Sequence, residues 1–348
     1  MPIAIALRRT SVPLARTVLA LASLTPTAIP AQAAPAGARP PMVAIPALYT
    51  PTAPGASLAC TPPPAPDDLA GASDEFDARQ TPGAPGGRWQ WFHERYGWPS
   101  MVRRADVGET HAGELTLEPL WSGWFADYHA PFLFQTIRGD FDVTARVRAA
   151  SVDGAADALP RATWSLVGLM ARAPRAVTPA DWQPRGENWL FVTTGTAEAP
   201  GVPVFESKST VNSGSNLKLR PARAGWLELR IVRMREVFLL LTREPGEAWR
   251  LRERVLRRDM PYADVQVGLV AYSDGTSGPP ALRQPQVHNT LAPDARARVG
   301  APDLRARVDW VHVRRPPALR DVAPDWLVDH EVSERAIVRF LECGRDGA

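Results

Sequence analysis

Residues Phe141–Arg148 (FDVTARVR) put Phe141, Val143, Ala145 and Val147 on one side of an extended chain and Asp142, Thr144, Arg146 and Arg148 on the other. A period of two belongs to a strand with one face in a core and the other in water. Similar runs recur at Glu114–Leu117, Phe132–Ile137, Ser165–Arg172, Asn188–Thr194, Trp226–Met234, Val237–Thr242, Val265–Tyr272 and Arg307–Val313, with turn residues between them. Arg138-Gly139-Asp140, which joins two of the runs, is a hairpin signal. No amphipathic helix interrupts the series, so residues 73–316 are expected to form an all-β sandwich of two antiparallel sheets. In the tail, 317–348, the spacing changes. Val332, Ala336, Ile337, Phe340 and Leu341 recur with helical period behind Ser333, a candidate cap, and predict a short C-terminal helix packed on the sandwich.

The chain ahead of the strands reads differently. Arg8, Arg9 and Arg16, the apolar run Thr17–Leu24 and Ala31-Gln32-Ala33 follow the order of a secretory signal. Residues 1–33 are therefore expected to be a leader, and the mature chain to be exported, periplasmic or extracellular, starting at Ala34. The apolar run is shorter than the ~20 residues that span a bilayer, and no other stretch approaches that length. Residues 34–72 read as a Pro/Ala-rich linker, with ten prolines between Ala34 and Pro66. The chain carries 40 Lys+Arg against 37 Asp+Glu, and the leader holds three of those arginines and no acid. The mature chain is thus formally neutral, without the positive surplus that binding nucleic acid or an anionic membrane surface requires. Two cysteines, Cys60 and Cys343, have no partner at metal-ligand spacing. In an exported chain they can join in one disulfide that ties the ends together, or remain separate thiols. Ser57-Leu58-Ala59-Cys60 also has the outline of a lipoprotein processing site, but its Leu is misplaced and no apolar run precedes it.

Local motifs for chemistry are missing. The six histidines are far apart in sequence, with no H-x-H or H-E-x-x-H, and neither G-x-S-x-G nor a phosphate-cradling glycine loop occurs. Asp140 and Asp142 share a strand face ~6.5–7 Å apart, near the carboxylate spacing of glycoside hydrolysis. A turn Asp followed by an outward polar residue is the plainer account. Three loops are long: Ser151–Arg161, Ala173–Gly186 and the proline-rich Ser273–Ala306, which shows no regular pattern. The aromatics are unusual, with twelve Trp against ten Phe and five Tyr. Indoles can pack on the apolar faces of sugar rings. Trp121, Trp124 and Trp182, in loops, are candidates for exposure, whereas Trp164, Trp226 and Trp310, on or beside strands, are expected in the core. Arg172, at the end of its strand, can pair with Glu187 or with a ligand hydroxyl, an ion pair being the plainer role.

Several short motifs, in order, resemble a known family: Arg88-Trp89-Gln90-Trp91, Gly113-Glu114-Leu115-Thr116-Leu117, Gly139-Asp140-Phe141-Asp142-Val143-Thr144, Val167–Arg172 (VGLMAR), Asn188-Trp189-Leu190, Val267-Gly268-Leu269 and Arg307-Val308-Asp309-Trp310-Val311. They are similar to concanavalin A-like lectin/glucanase domains, specifically the bacterial branch of largely unknown function and the C-terminal β-sandwich module of some β-xylosidases. The resemblance spans residues 73–316 and implies a two-sheet jelly roll whose concave face often binds sugars. It also implies Ca²⁺ as a candidate ligand, although no local run of ligands marks a site. The E-x-D-x-E run of laminarinase-like enzymes is absent, and the Ser273–Ala306 loop is longer than the simple module needs.

Three readings follow. The first is a secreted, non-catalytic carbohydrate-binding sandwich. Its ligand face would combine Trp121, Trp124 and Trp189 as platforms with Asp127, Tyr128, Arg172, Glu187 and Asn188 as polar partners. The second is a glycoside hydrolase or polysaccharide lyase using carboxylates such as Asp140, Asp142 or Glu187. The third is an envelope protein-interaction module whose long loops meet another protein. Fold alone does not choose among them.

Overall fold

In a computed structural model of the chain the described residues are 67–155, 158–319 and 323–343. The leader, residues 34–66 of the linker and Cys60 lie outside them. In chain order the strands are β1 (Gln90–Trp91), β2 (Val102–Val107), β3 (Leu115–Pro119), β4 (Trp121–Ser122), β5 (Phe132–Arg138), β6 (Phe141–Ala150), β7 (Ser165–Arg172), β8 (Trp189–Thr196), β9 (Pro203–Val211), β10 (Gly214–Pro221), β11 (Leu227–Met234), β12 (Val237–Arg243), β13 (Arg250–Leu256), β14 (Asp264–Asp274) and β15 (Arg305–Arg314). The helices are α1 (Phe92–Tyr96), α2 (Pro285–Thr290), α3 (Pro293–Arg296) and α4 (Glu334–Leu341).

Two sheets form the sandwich. One runs β1-β5-β14-β7-β8-β9-β10, with β4 attached to β14, and the other runs β13-β12-β11-β6-β15-β3-β2. Every pairing between these strands is antiparallel except β4 with β14. The period of two decides the core. Phe141, Val143, Ala145 and Val147 of β6 join Leu229 and Ile231 of β11 against Val167 and Leu169, Leu190 and Val192, and Val267 and Leu269 of the facing sheet. Fully burying such a side chain stabilises the fold by ~1.5–3 kcal/mol.

Both sheets are also covered over part of their outer faces. On the seven-stranded sheet, Ile337, Phe340 and Leu341 of α4 pack with Trp326 and Leu327 onto Val232, Leu239 and Leu241. The Ser333 side chain caps α4, accepting from the Ala336 N–H at 3.2 Å, so the predicted helix forms where its period and cap place it. Among the described residues no helix is long and apolar enough to cross a membrane.

Two local expectations, the hairpin and the irregular loop, are corrected, and the acid/base alternative for Asp140 and Asp142 gives way to two separate structural roles. The segment Arg138-Gly139-Asp140 closes no hairpin, because β5 and β6 belong to different sheets and the chain crosses the sandwich there. Gly139 takes a φ of 74° at the crossing, and Arg315 donates to the carbonyls of Arg138 and Asp140 at 2.8 and 2.5 Å. Asp140 and Asp142 do not act as a pair. Asp140 accepts from the Arg235 N–H at 2.6 Å, while Asp142 is buried in a two-pronged bond to Arg230, 2.7 Å on each prong. The Ser273–Ala306 loop is not irregular throughout, since Pro285 and Pro293 start α2 and α3, where a missing N–H costs nothing.

Candidate functional site

The outer face of the eight-stranded sheet carries the chemistry. Strand register fixes which side chains share it. Gln266, Arg172, Trp189 and Thr210 stand opposite one another across β14, β7, β8 and β9. In the next row are Phe134, Met170, Phe191 and Lys208, and beyond them Thr193 and Glu206. Three segments fold down onto this face: α1 with Trp98, the loop holding Trp124 and His129, and the 173–186 loop with Trp182. Together they form an aromatic layer.

One charged cluster lies under that layer. Arg172 donates to both carboxylate oxygens of Glu187, at 2.9 and 3.1 Å, and to Gln266 Oε1 at 2.9 Å. Arg175 reaches Glu187 at 3.1 Å. Burial alone would raise the Glu187 carboxyl, but Arg172, with smaller help from His129 and Arg175, holds it well below the ordinary carboxylate range. The His129 ring is packed among Phe92, Trp98 and Trp124. Burial lowers its pKa despite Glu187 at 3.6 Å, so the two arginines answer the carboxylate charge at neutral pH. This is a structural ion cluster, in which Glu187, Arg172 and His129 are closed to solvent and Arg175 is partly exposed.

A second cluster borders open space. Lys208 Nζ lies 2.8 Å from Glu206 Oε1, out of line for a hydrogen bond, and donates to the Trp124 carbonyl at 2.8 Å. Glu206 Oε2 accepts from the Tyr272 hydroxyl and from Thr193 Oγ1. Burial, then the Glu206 charge, push the Tyr272 hydroxyl well above its usual range, so it remains a donor. The rings of Phe125, Trp164, Phe191 and Tyr272 stand 4.9–5.8 Å from the ammonium, within cation–π reach.

Above Lys208 opens a pocket of about 270 Å³ walled by Trp124, Phe125, Tyr128, Trp164, Tyr272 and His288, with Leu217 and Thr276 at its margin. Its wall includes no Asp or Glu. A larger depression of about 770 Å³ lies between the 152–163, 274–277 and 297–303 segments. Its Asp303 is occupied by Ser151, the Val152 N–H and Arg161, and its Asp274 by Ser277 and the Ala301 N–H. Those carboxylates tie loops together, and the smaller pocket has the more specific lining. Among the described residues no three His, Cys, Asp or Glu side chains are placed to hold a metal ion.

The structure gathers most of the expected site residues on one face but closes the indoles off. Trp121, Trp124 and Trp189 are 0–1% exposed. Trp189 stacks on Phe191 and meets Trp124 edge-on, so none of the three is an open platform, and the loop Trp182 is also buried. Trp164, Trp226 and Trp310 are the half-exposed ones. The expectation for the two groups is inverted because the loops fold onto a sheet face, while Trp226 lies against Arg146 and Arg307 and Trp310 stacks on His312 on a sheet face that α4 leaves uncovered. Asp127 accepts from the Arg185 N–H and Ser213, and Asn188 from the Asn212 N–H; both organise loops. Tyr128 alone of the expected set lines the pocket with Trp124, and its hydroxyl donates to the Arg283 carbonyl.

Sequence reasoning passed over Lys208, Glu206, Tyr272 and His288. One signal was available. Lys208 and Lys218 are the only lysines in a chain of 40 basic residues. A lysine kept in so arginine-rich a chain marks a place for a compact ammonium with three rotatable donors.

No protein-family model matches the chain, and no curated protein sequence matches it. Solved structures that the chain is similar to include a GH43 protein from Bacillus licheniformis, 14% identical with a TM-score of 0.45 over 72% of this chain and 40% of that one. A xylan β-1,4-xylosidase from Bacillus halodurans is 13% identical, TM-score 0.43, over 70% of this chain and 39% of that one. The chain thus matches about two fifths of the length of those proteins. A pseudo β-1,3-glucanase of Mycobacterium tuberculosis is 13% identical, TM-score 0.39, over 70% of this chain and 97% of that one.

Proposed function

We propose that the chain is an exported, non-catalytic glycan-binding sandwich whose ligand enters the pocket above Lys208. The observation that carries this reading is the composition of its wall: Trp124, Phe125, Tyr128, Trp164 and Tyr272 around a single ammonium. The accessible rings of Phe125, Tyr128 and Trp164, backed by the buried Trp124 and Tyr272, offer an apolar wall to a sugar ring, with few polar groups to fix its orientation, as in a binding site of the usual kind. Hydrolysis of glycosides uses two carboxyl groups on either side of the bond. None lines this pocket, and Glu206 beneath it is engaged by Lys208, Tyr272 and Thr193. Export rests on the leader-like residues 1–33 alone, and intact mass of the native protein should place its N-terminus at Ala34.

Glycan-array screening followed by calorimetry tests the pocket. Phe125 is 45% exposed and Trp164 half-buried at the pocket wall, so either can be truncated with little loss of core. Phe125→Ala and Trp164→Ala should each weaken binding by about 1–3 kcal/mol with a nearly unchanged melting transition. Unaltered affinity in both folded variants, or no binding to any glycan, would remove this reading in favour of a protein-interaction role for the long loops.

A further inference from the structure

Two polar side chains that line the pocket, His288 and Lys208, say more than that a sugar fits. His288, on α2, is buried, and its ring forms part of the wall. Its Nδ1 lies 2.9 Å from Asn289 Oδ1. The orientation of that amide is fixed twice over, because Oδ1 also accepts from the His129 N–H at 2.9 Å and Nδ2 donates to the Asp127 carbonyl at 2.8 Å. A carbonyl oxygen only accepts, so Nδ1 carries the proton and Nε2 is left as a lone-pair acceptor. Burial holds the ring neutral, its pKa lowered to about 3. Nε2 is buried and has no hydrogen-bond partner among the described residues. A buried polar atom without a partner is costly, and a ligand donor would relieve it.

Lys208 supplies the complementary group. Of its three N–H bonds, one goes to the Trp124 carbonyl, and Glu206 Oε1, at 2.8 Å, is an ion-pair partner out of line for a hydrogen bond. Lys208 lines the pocket, and its ammonium keeps N–H capacity for a ligand oxygen. Because Lys208 and Glu206 offset each other at 2.8 Å, the pocket has no net charge to offer an anion. Its volume of about 270 Å³ lies just under the ~300–1,000 Å³ of sites for drug-sized ligands. That is space for a single ring.

Resting on the glycan-binding reading above, we propose that the pocket selects one uncharged sugar ring, with a ring hydroxyl donating to His288 Nε2 and an oxygen of the same ring accepting from Lys208. A ring hydroxyl donates and accepts; a uronate has such hydroxyls too, but its carboxylate meets Glu206 as a like charge at an ammonium that Glu206 already offsets. Chemical-shift titration with methyl β-D-glucopyranoside, methyl β-D-galactopyranoside and methyl β-D-xylopyranoside, against D-glucuronate and D-galacturonate, reads this directly. At least one neutral glycoside should bind and the uronates should not. His288→Phe should weaken that binding about tenfold or more, the scale of one lost hydrogen bond to a buried partner. His288→Gln, which keeps an acceptor, should stay within a few-fold. Should His288→Phe fail to fold, the monodeoxy analogues of the bound glycoside decide on the unmodified protein, since one of them must lose affinity to the same extent. Uronates binding as tightly as neutral sugars, or no loss with any deoxy analogue, would overturn the proposal. If binding then still falls in Phe125→Ala, the glycan pocket itself stands. If no sugar of either class shifts any resonance, both fall together.

Discussion

Glu187 shows how one buried carboxylate governs its surroundings. Two arginines converge on it, and Arg172, like Glu187, is 1% exposed. Removing one member of such a pair leaves the others charged and desolvated, which costs about 3–5 kcal/mol even where the intact pair contributes little. Glu187→Ala should therefore lower the urea midpoint by that equivalent with an unchanged m-value. Titration has a definite sign. The folded carboxyl is held below its unfolded value by Arg172 against the effect of burial. Its stabilisation is complete above the unfolded Glu pKa of about 4.3 and is lost as the pH falls below that. Urea midpoints measured from pH 6 to 3 should drop for the native chain and drop less for Glu187→Ala; parallel curves would refute the linkage. That Arg172 and Glu187 meet was legible in the sequence, because one ends a strand and the other precedes the strand paired with it. The burial of Trp121, Trp124 and Trp189 was not, because it depends on loops closing over the sheet, a tertiary event with no local period.

Elements were readable in proportion to how much they bury. Strands near the middle of each sheet, such as β7 and β8, are buried along their whole length, and their runs stand out as apolar or alternating. The strands passed over include all four sheet edges, β1, β10, β13 and β2. β13 reads RLRERVL and β10 reads GSNLKLRP. Charged side chains blunt an edge against pairing with other chains, and they also erase the hydrophobic signal. The misplaced hairpin has a related cause, because a turn motif reports a reversal of the chain and does not say which sheet receives the next strand. The C-terminal helix was legible because cap and period agree within a few residues. Its cap gives a direct test. Ser333→Ala removes the acceptor for the Ala336 N–H and should cost about 1 kcal/mol. Ser333→Asp, which keeps an acceptor, should recover most of it in thermal or urea unfolding.

The described residues form a sandwich with a partial cover on each outer face, loops on one and the C-terminal segment on the other. The two covers differ in kind. The loops enclose a pocket, whereas the 323–343 segment conceals a purely structural apolar strip: Val232 and Met234 of β11, Val237, Leu239 and Leu241 of β12, Leu251 of β13, and Trp249. It is also pinned by polar contacts. Arg230 donates to the Leu341 carbonyl at 3.2 Å and to Glu342 at 2.7 Å, and Arg254 to the carbonyls of Asp329 and Val332 at 2.8 and 2.9 Å. Cys343 stands at the end of this segment, so a bridge to Cys60, which lies outside the described residues, would fasten the cover to the N-terminal arm. Such a bridge would add a few kcal/mol by restricting the unfolded chain. Without the cover, an exposed apolar sheet face beside the bare β13 edge is a recipe for self-association. A chain ending at Leu319 should therefore bind an apolar dye and elute from a sizing column as aggregates. Phe340→Asp, which charges the underside of α4 but leaves the chain complete, should behave in the same direction and more mildly. If the shortened chain stays monodisperse and binds no more dye than the full one, the C-terminal segment is not what keeps this face of the sandwich soluble.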